Sequence, residues 1–449
     1  MHIQRIQVPN FRVLQDVDIT FEKDFVPCIF PLGSLNGGGK STLLQLIFVL
    51  LHCSAHENRK QYIQNMLEGF DVPEGESAST LAKFEIWDGQ DIIELEFFCC
   101  DINYFRDSFS KYEKQSIEDK KIKNDLDSLL INLDRGVILP KLGKIEDIGN
   151  YHLAKIRNTF NTQKQSHKED FYKLATSLED FINNKLSLTE TKKTNDFYIT
   201  HYLTQHSSYF LMCRCINIDL NYEVFWGTIE TKIYLSAPIT QMYLFLPKTS
   251  KSLLFQTAHG QEQNNYFSKV KELQASLPNF FNYDFVGVAK IIEALDIAMR
   301  DDMKIMVETL NSKRGNNFET ILESLRKFFP DKEVLPTIQT VENKSEIRGI
   351  KFIKKGSSVE LYPEDLSHGE LKKLSLYIWL KYHNIKDAIV LIDEVENNFH
   401  PDWQYQITDN LRDWGETNQF ILATHSYDVC QALTPAHVKE LEPKLLKNG

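Results

Sequence analysis

Apolar positions along this chain fall into short runs whose length and flanks assign them to elements. The opening MHIQRIQVPNFRVL alternates apolar and polar residues and predicts a β-strand. FVPCIFPLG, residues 25–33, is an apolar run of strand length that ends in glycine. Residues 42–53, TLLQLIFVLLHC, are apolar almost all round and predict a core helix, since LLQLIFVLL is far short of the roughly 20 residues that span a membrane. Two more buried strands are predicted by AIVLI at 388–392 and by QFILA at 419–423. Leu371, Leu374, Ile378 and Leu380 give the segment between Ser367 and Tyr382 a helix with one buried side. Residues 285–329 read as helix, and 330–353 as strands.

The middle of the chain has a different texture. Residues 101–200 are polar and helical in pattern, with lysines and acids interspersed. Phe171, Leu174, Leu178 and Phe181 keep a 3-4-3 spacing over about two heptads, enough for a helical hairpin and too short for a sustained coiled coil. Residues 208–247 are rich in β-branched and aromatic side chains and predict strands.

Composition narrows the function classes. A chain of 449 residues that is 42% hydrophobic can bury more than one core. A net charge of −11 argues against coating nucleic acid by bulk electrostatics, and leaves a local basic groove open. The seven cysteines form no Cys-x-x-Cys pair at zinc spacing and read as free thiols; alternation puts Cys213 and Cys215 on one face of a strand, as packing. No basic stretch followed by an apolar one opens the chain, so the expectation is a soluble, cytoplasmic protein with no membrane contact.

The chemistry begins at PLGSLNGGGKSTLLQL, residues 31–46. A glycine-rich turn between a strand and a helix aims backbone N–H groups at a phosphate, a lysine adds charge, and a Ser or Thr hydroxyl ligates Mg²⁺. Asn36, Gly37, Gly38, Gly39, Lys40, Ser41 and Thr42 supply these parts, although Ser34 stands where the strict pattern has its first glycine. The strand AIVLI ends in Asp393 and Glu394: one acid suited to the metal, the next to activating water as general base. Ser367 and Glu370 make a capping box at a helix N-terminus, where N–H groups and a hydroxyl await an anion. Finally, FILATHS places His425 at a strand's carboxyl end, where ligands bind in α/β sheets.

Together and in this order, Gly37–Ser41, Leu366-Ser367-His368-Gly369-Glu370, Asp393-Glu394 and His425 resemble the Walker A, signature, Walker B and switch-histidine motifs of an ABC-type ATPase. VPNFRVLQDVDITFE, DEVENNFHPDWQ and ATHS resemble the RecF, SMC and overcoming-lysogenization group, of the AAA15 and AAA21 kind, rather than transporters. The resemblance implies an α/β fold, with an ABC-type P-loop ATPase head, a mixed sheet flanked by helices, carrying a long, largely helical insertion. It divides the chain into an N-terminal lobe at 1–100, an insertion at 101–317 and a C-terminal lobe at 318–449, which explains the roughly 327 residues between Lys40 and Ser367. It also implies ATP and Mg²⁺ as ligands: Lys40, Glu394 and His425 as catalytic groups, Ser41 and Asp393 on the metal, and Arg12 reaching the nucleotide. Ser367, His368 and Gly369 are then expected to face the ATP of a second copy in a head-to-head homo-oligomer.

His368 replaces the glycine or serine usual in the signature. The glutamine of the family's Q-loop is left open among Gln61, Gln64 and Gln90, and His400-Pro401 reads equally as a helix cap or as an interface loop. No catalytic constellation shows in 101–317, and 24 residues follow His425, too few for a nuclease domain. The architecture therefore resembles the ATPase subunit of Septu-type and retron-associated antiphage systems, and less closely that of the PARIS system, which implies a separate nuclease of HNH type as partner and nucleic acid contact through the complex. The rival expectations are a RecF- or SMC-like repair ATPase that binds DNA itself, and an assembly scaffold with little turnover.

Overall fold

The computed structural model describes residues 1–34, 37–105, 196–204, 207–217, 222–238, 241, 245–246, 272–273, 275–308, 315–341, 344–362, 365–383 and 385–441. Strands β1 (His2–Phe11) and β2 (Leu14–Thr20) form a hairpin; β3 (Ile29–Gly33) leads through the glycine-rich loop into helix α1 (Lys40–Cys53), followed by α2 (Lys60–Leu67). Next come β4 (Ala78–Trp87), β5 (Ile92–Cys100), β6 (Asp196–Leu203), β7 (Ser208–Cys215), α3 (Tyr222–Ile229), β8 (Ile233–Ala237) and β9 (Phe280–Asn282). The remainder is α4 (Tyr283–Glu308), α5 (Asn317–Phe328), β10 (Lys332–Val341), β11 (Lys344–Lys354), β12 (Glu360–Leu361), α6 (His368–Tyr382), β13 (Ile389–Asp393), α7 (Pro401–Trp414), β14 (Gln419–Ala423), α8 (Tyr427–Gln431) and β15 (Lys439–Glu440).

Two six-stranded sheets organise these elements, one antiparallel in the order β2-β1-β4-β5-β7-β6 and one parallel in the order β15-β3-β14-β13-β8-β9. Strands β3, β8, β13 and β14 are buried almost throughout, which is why each is a largely apolar run, whereas the two-residue edge strand β15 is polar and not buried. Ile389 and Leu391 join one core with Phe30, Leu32 and Ile421, whereas Val390 and Ile392 join the other with Ile29, Phe420 and Leu422. Helix α1 fills the first core together with strands of both sheets; Lys40 and every residue from Leu43 to Cys53 are buried, as a helix without a polar face requires. Helices α6 and α7 cover the other face through Leu376, Trp379, Leu380, Ile407 and Leu411. The remaining side of α6, with Leu374 and Ile378, meets α4, α5, β10 and β11 in a third core.

Two expectations change. Residues 222–229 form a helix where strands were expected, because Phe225, Trp226 and Ile229 are buried while Val224 is 65% exposed: helical spacing outweighs the aromatic and β-branched composition. Strands β6 to β9, assigned to the 101–317 insertion, hydrogen-bond into the two head sheets, and β8 pairs directly with β13. Long-range register of this kind leaves no local mark on the sequence. Of the 101–200 segment expected to be helical, residues 106–195 lie outside the described residues, and 196–200 are strand, as the first part of β6. Cys213 and Cys215 are both buried in the first core, on one face of β7.

Candidate functional site

The parallel sheet presents β3, β14, β13 and β8 with their carboxyl ends along one edge, and Lys40, Ser41, Asp393 and His425 meet there. After β3 the chain turns sharply into α1. Gly39 caps that helix at φ 90°, in left-handed backbone that suits glycine, and a Cβ at this position would run into Leu14 and Val13 of the β1–β2 turn. Gly37 likewise has φ 83°, Gly38 lies between them, and Thr42 follows Ser41 in the first turn; Asn36 lies outside the described residues.

Lys40 is buried, and its ammonium donates to the carbonyl and the hydroxyl of Ser34, both at 3.0 Å, so the serine that departs from the glycine pattern supplies the lysine with a side-chain acceptor. The same Nζ lies 3.3 Å from Nδ1 of His425, 385 residues away in sequence. Accepting from an ammonium requires the neutral imidazole with its proton on Nε2. One residue on, the Ser41 hydroxyl donates to Oδ1 of Asp393 at 3.0 Å. Asp393 is 2% exposed; burial, reinforced by the neighbouring Glu394 charge and opposed by the Ser41 hydrogen bond, pushes its pKa up to about 6. A buried carboxylate beside a hydroxyl is a hard-oxygen pair that fits a divalent cation, whose charge would offset the cost of burying Asp393. Among the described residues no cluster of three or more His, Cys, Asp and Glu could hold a metal, so a cation here would complete its shell with substrate oxygens and water.

Glu394 follows Asp393 with φ 50°, and its half-buried carboxylate accepts from the Asn397 amide. Two residues later, Glu396 takes the hydroxyl of Thr424 on Oε2 at 2.7 Å and the backbone N–H of His425 on Oε1 at 2.5 Å. That buried carboxylate therefore ties the loop after β13 to the loop after β14. Ser426 continues the link, donating its hydroxyl to Gln404 of α7.

Helix α6 starts with the expected capping box: Glu370 N–H donates to Ser367 Oγ, and Ser367 N–H donates back to the Glu370 carboxylate. Ser367 and His368 are exposed at that N-terminus, on a different element from the P-loop, whereas Gly369 is buried because its Cα rests on the Asn398 carbonyl. Arg12, at φ 56° in the β1–β2 turn, donates to the Met66 carbonyl of α2 at 2.7 Å, while Val13 and Leu14 of that turn pack on Gly39. His400 caps α7 by accepting from the Asp402 N–H.

Three groups at the site escaped sequence reasoning. Glu396 stands in a polar turn, indistinguishable there from a solvated acid. Lys372 reads as an ordinary helix-surface lysine. Gln241, in the loop after β8, accepts on Oε1 from Gln45, one helical turn beyond Ser41, at 2.8 Å. By contrast, Gln61 and Gln64 bond on and around α2, and Gln90 lies in a hairpin turn. The signal for Gln241 was the strand IYLSA just before it, legible only once β8 is known to pair with β13.

A family model for the AAA ATPase domain (AAA_15) matches residues 1–429. The chain is 28% identical over 164 residues to the retron Ec83 probable ATPase of Escherichia coli, a match covering 33% of this chain and 28% of that protein. It is 26% identical over 203 residues to the retron Vc95 probable ATPase of Vibrio cholerae serotype O1 biovar El Tor, covering 39% of this chain and 38% of that protein. The chain thus spans only about a third of the length of these curated relatives. Among solved structures, an Smc head bound to the C-winged helix domain of ScpA aligns with 96% of this chain and 92% of its own at 9% identity and a TM-score of 0.37. An Smc head with an extended coiled coil, bound to the C-terminal domain of ScpA, from Pyrococcus furiosus, aligns with 96% and 91% at 13% identity and a TM-score of 0.33.

Proposed function

The chain belongs to the AAA ATPase domain family, and from that premise we propose that it binds and hydrolyses Mg²⁺-ATP to regulate a separate effector in antiphage defence. One observation carries the catalytic part: Lys40, Ser41, Asp393 and His425, spread over 386 positions, converge within hydrogen-bonding distance at one sheet edge. In this reading the P-loop amides and Lys40 hold the ATP phosphates. Ser41 and Asp393 would hold Mg²⁺, which would supply positive charge to the phosphates. Glu394 takes a proton from the water whose oxygen bonds to the γ-phosphorus as the bond from that phosphorus to the departing ADP oxygen breaks, and His425 donates a hydrogen bond from its ring to the γ-phosphate. Ser367, His368 and the N–H groups of α6 are exposed for the nucleotide of a second copy, so turnover depends on self-association.

Glu396 acts on His425 only through its backbone. Glu396→Gln turns one of its two acceptors into a donor facing a hydroxyl or an N–H. The expected outcome is a kcat for ATP about 10-fold lower with KM unchanged, measured by steady-state phosphate release. An equal rise in KM with kcat retained would assign Glu396 to binding instead.

The defence role is supported by the two retron relatives, and the effector we propose is a nuclease of HNH type in a cytoplasmic complex. No helix among the described residues is long and apolar enough to cross a membrane. The test is to express the chain with the products of its neighbouring genes, purify it by a tag and identify what co-elutes by mass spectrometry. A stoichiometric nuclease whose cleavage changes on adding ATP is the expected result. A chain that elutes alone and binds DNA with steep salt dependence would overturn the regulatory reading in favour of direct DNA engagement.

A further inference from the structure

Lys372, the fifth residue of α6, is 2% exposed, a costly place for an ammonium unless acceptors surround it. Its Nζ donates to the carbonyl oxygen of Glu394 at 2.6 Å and to that of Asn397 at 3.2 Å. The rings of Tyr283 and Phe399 flank it, with centroids 4.3 and 5.1 Å from the nitrogen. These two carbonyls bracket the turn that follows β13. Within and beside that turn, Glu394 has φ 50° and Asn398 φ 67°, left-handed backbone that Asn adopts readily and that Glu keeps only where its surroundings impose it. An ammonium that draws both carbonyls to one point supplies that imposition. Next to it, the backbone of Gly369 rests on the Asn398 carbonyl, so α6 touches the turn twice.

We propose that Lys372 is a positioning residue for Glu394: it clamps the turn that aims the carboxylate and couples that turn to the helix whose N-terminus carries Ser367 and His368. The proposal rests on Glu394 being the general base. The Lys372 ammonium grips main-chain oxygens of this turn, and its effect is on the direction of the neighbouring carboxylate. The coupling has a direct consequence. Any shift of α6 when its exposed end meets a ligand moves the carbonyls that Lys372 holds, and with them the base of the same chain.

The test uses the full-length chain in three forms beside the wild type, with ATP binding, kcat, KM and thermal melting measured for each. Lys372→Met keeps the apolar stem and removes the donors. The expected result is a kcat 10- to 100-fold lower, with nucleotide affinity and KM within about threefold of wild type, the pattern of a misdirected catalytic group. Lys372→Arg, which restores charge and donors, is expected to recover part of that loss. A wild-type kcat in Lys372→Met overturns the proposal, and so does a loss of ATP binding in proportion to activity. Should Lys372→Met fail to fold, Lys372→Leu, which also removes the donors and keeps apolar bulk, is read by the same criteria. Glu394→Gln is the third form. If it turns over ATP at the wild-type rate, the base assignment itself has failed; if it is inactive while Lys372→Met is not, only the positioning role has failed.

Discussion

Glu394→Gln is expected to lower ATP turnover at least about 100-fold while ATP still binds, so that the nucleotide becomes trapped and any head-to-head dimer is stabilised. The effect is large because the substitution removes the basic oxygen and leaves the rest of the machinery in place. Lys40 keeps its contacts with Ser34 and His425, and Ser41 keeps its bond to Asp393. Trapping is expected because the nucleotide-binding groups are untouched while the step that releases it is lost. Retained radiolabelled ATP after gel filtration, beside a phosphate-release assay, measures both. Turnover at the wild-type rate would remove Glu394 from the role of base.

Much of this site could be read from local sequence, because its parts are local devices. The glycine-rich turn needs Gly39 for its positive φ, and the capping box around Ser367 is closed within four residues, as the structure has it. The parallel strands β13 and β14 were legible because burial on both faces leaves an unbroken apolar run. The same logic misled at Tyr222–Ile229, where aromatic and β-branched residues form a helix whose buried positions follow a 3.6-residue period. What stayed hidden is what pairing over long distances creates. Placing β8 beside β13 is what turns Gln241 into a site residue, and the charges of Glu396 and Lys372 have meaning only through Thr424, His425 and the carbonyls of Glu394 and Asn397. A sequence shows an acid or a lysine; the fold decides whether it faces water or a main-chain atom.

Gly369→Ala is expected to abolish hydrolysis nearly as completely as loss of the base, although Gly369 lies on a helix other than the P-loop helix. Its added Cβ would collide with the carbonyl oxygen of Asn398, a backbone atom that cannot swing aside as a side-chain tip can. Either α6 retreats, withdrawing Ser367 and His368 from their exposed position, or the 394–398 turn yields, and Glu394 yields with it. ATP binding at Lys40 is untouched by either movement, so an ATP analogue should bind with wild-type affinity while phosphate release falls to roughly a hundredth or less. This variant also tests whether the signature serves a second copy. Lys40→Met disables the P-loop and leaves the signature intact, the reverse of Gly369→Ala. In a two-fold dimer of one copy of each, one of the two sites takes its P-loop from the Gly369→Ala chain and its signature from the Lys40→Met chain, and the other site receives both defects. If α6 retreats, the first variant's own Glu394 survives, and an equal mixture of two inactive proteins regains up to about a quarter of wild-type turnover. If the turn yields instead, the mixture stays inactive because the variant has lost its own base. A third variant separates that case from a signature acting within its own chain: Ser367→Ala touches the cap and not the Asn398 contact, so its mixture with Lys40→Met regains activity whenever the signature works across the dimer, and fails to do so only if the sandwich itself is wrong.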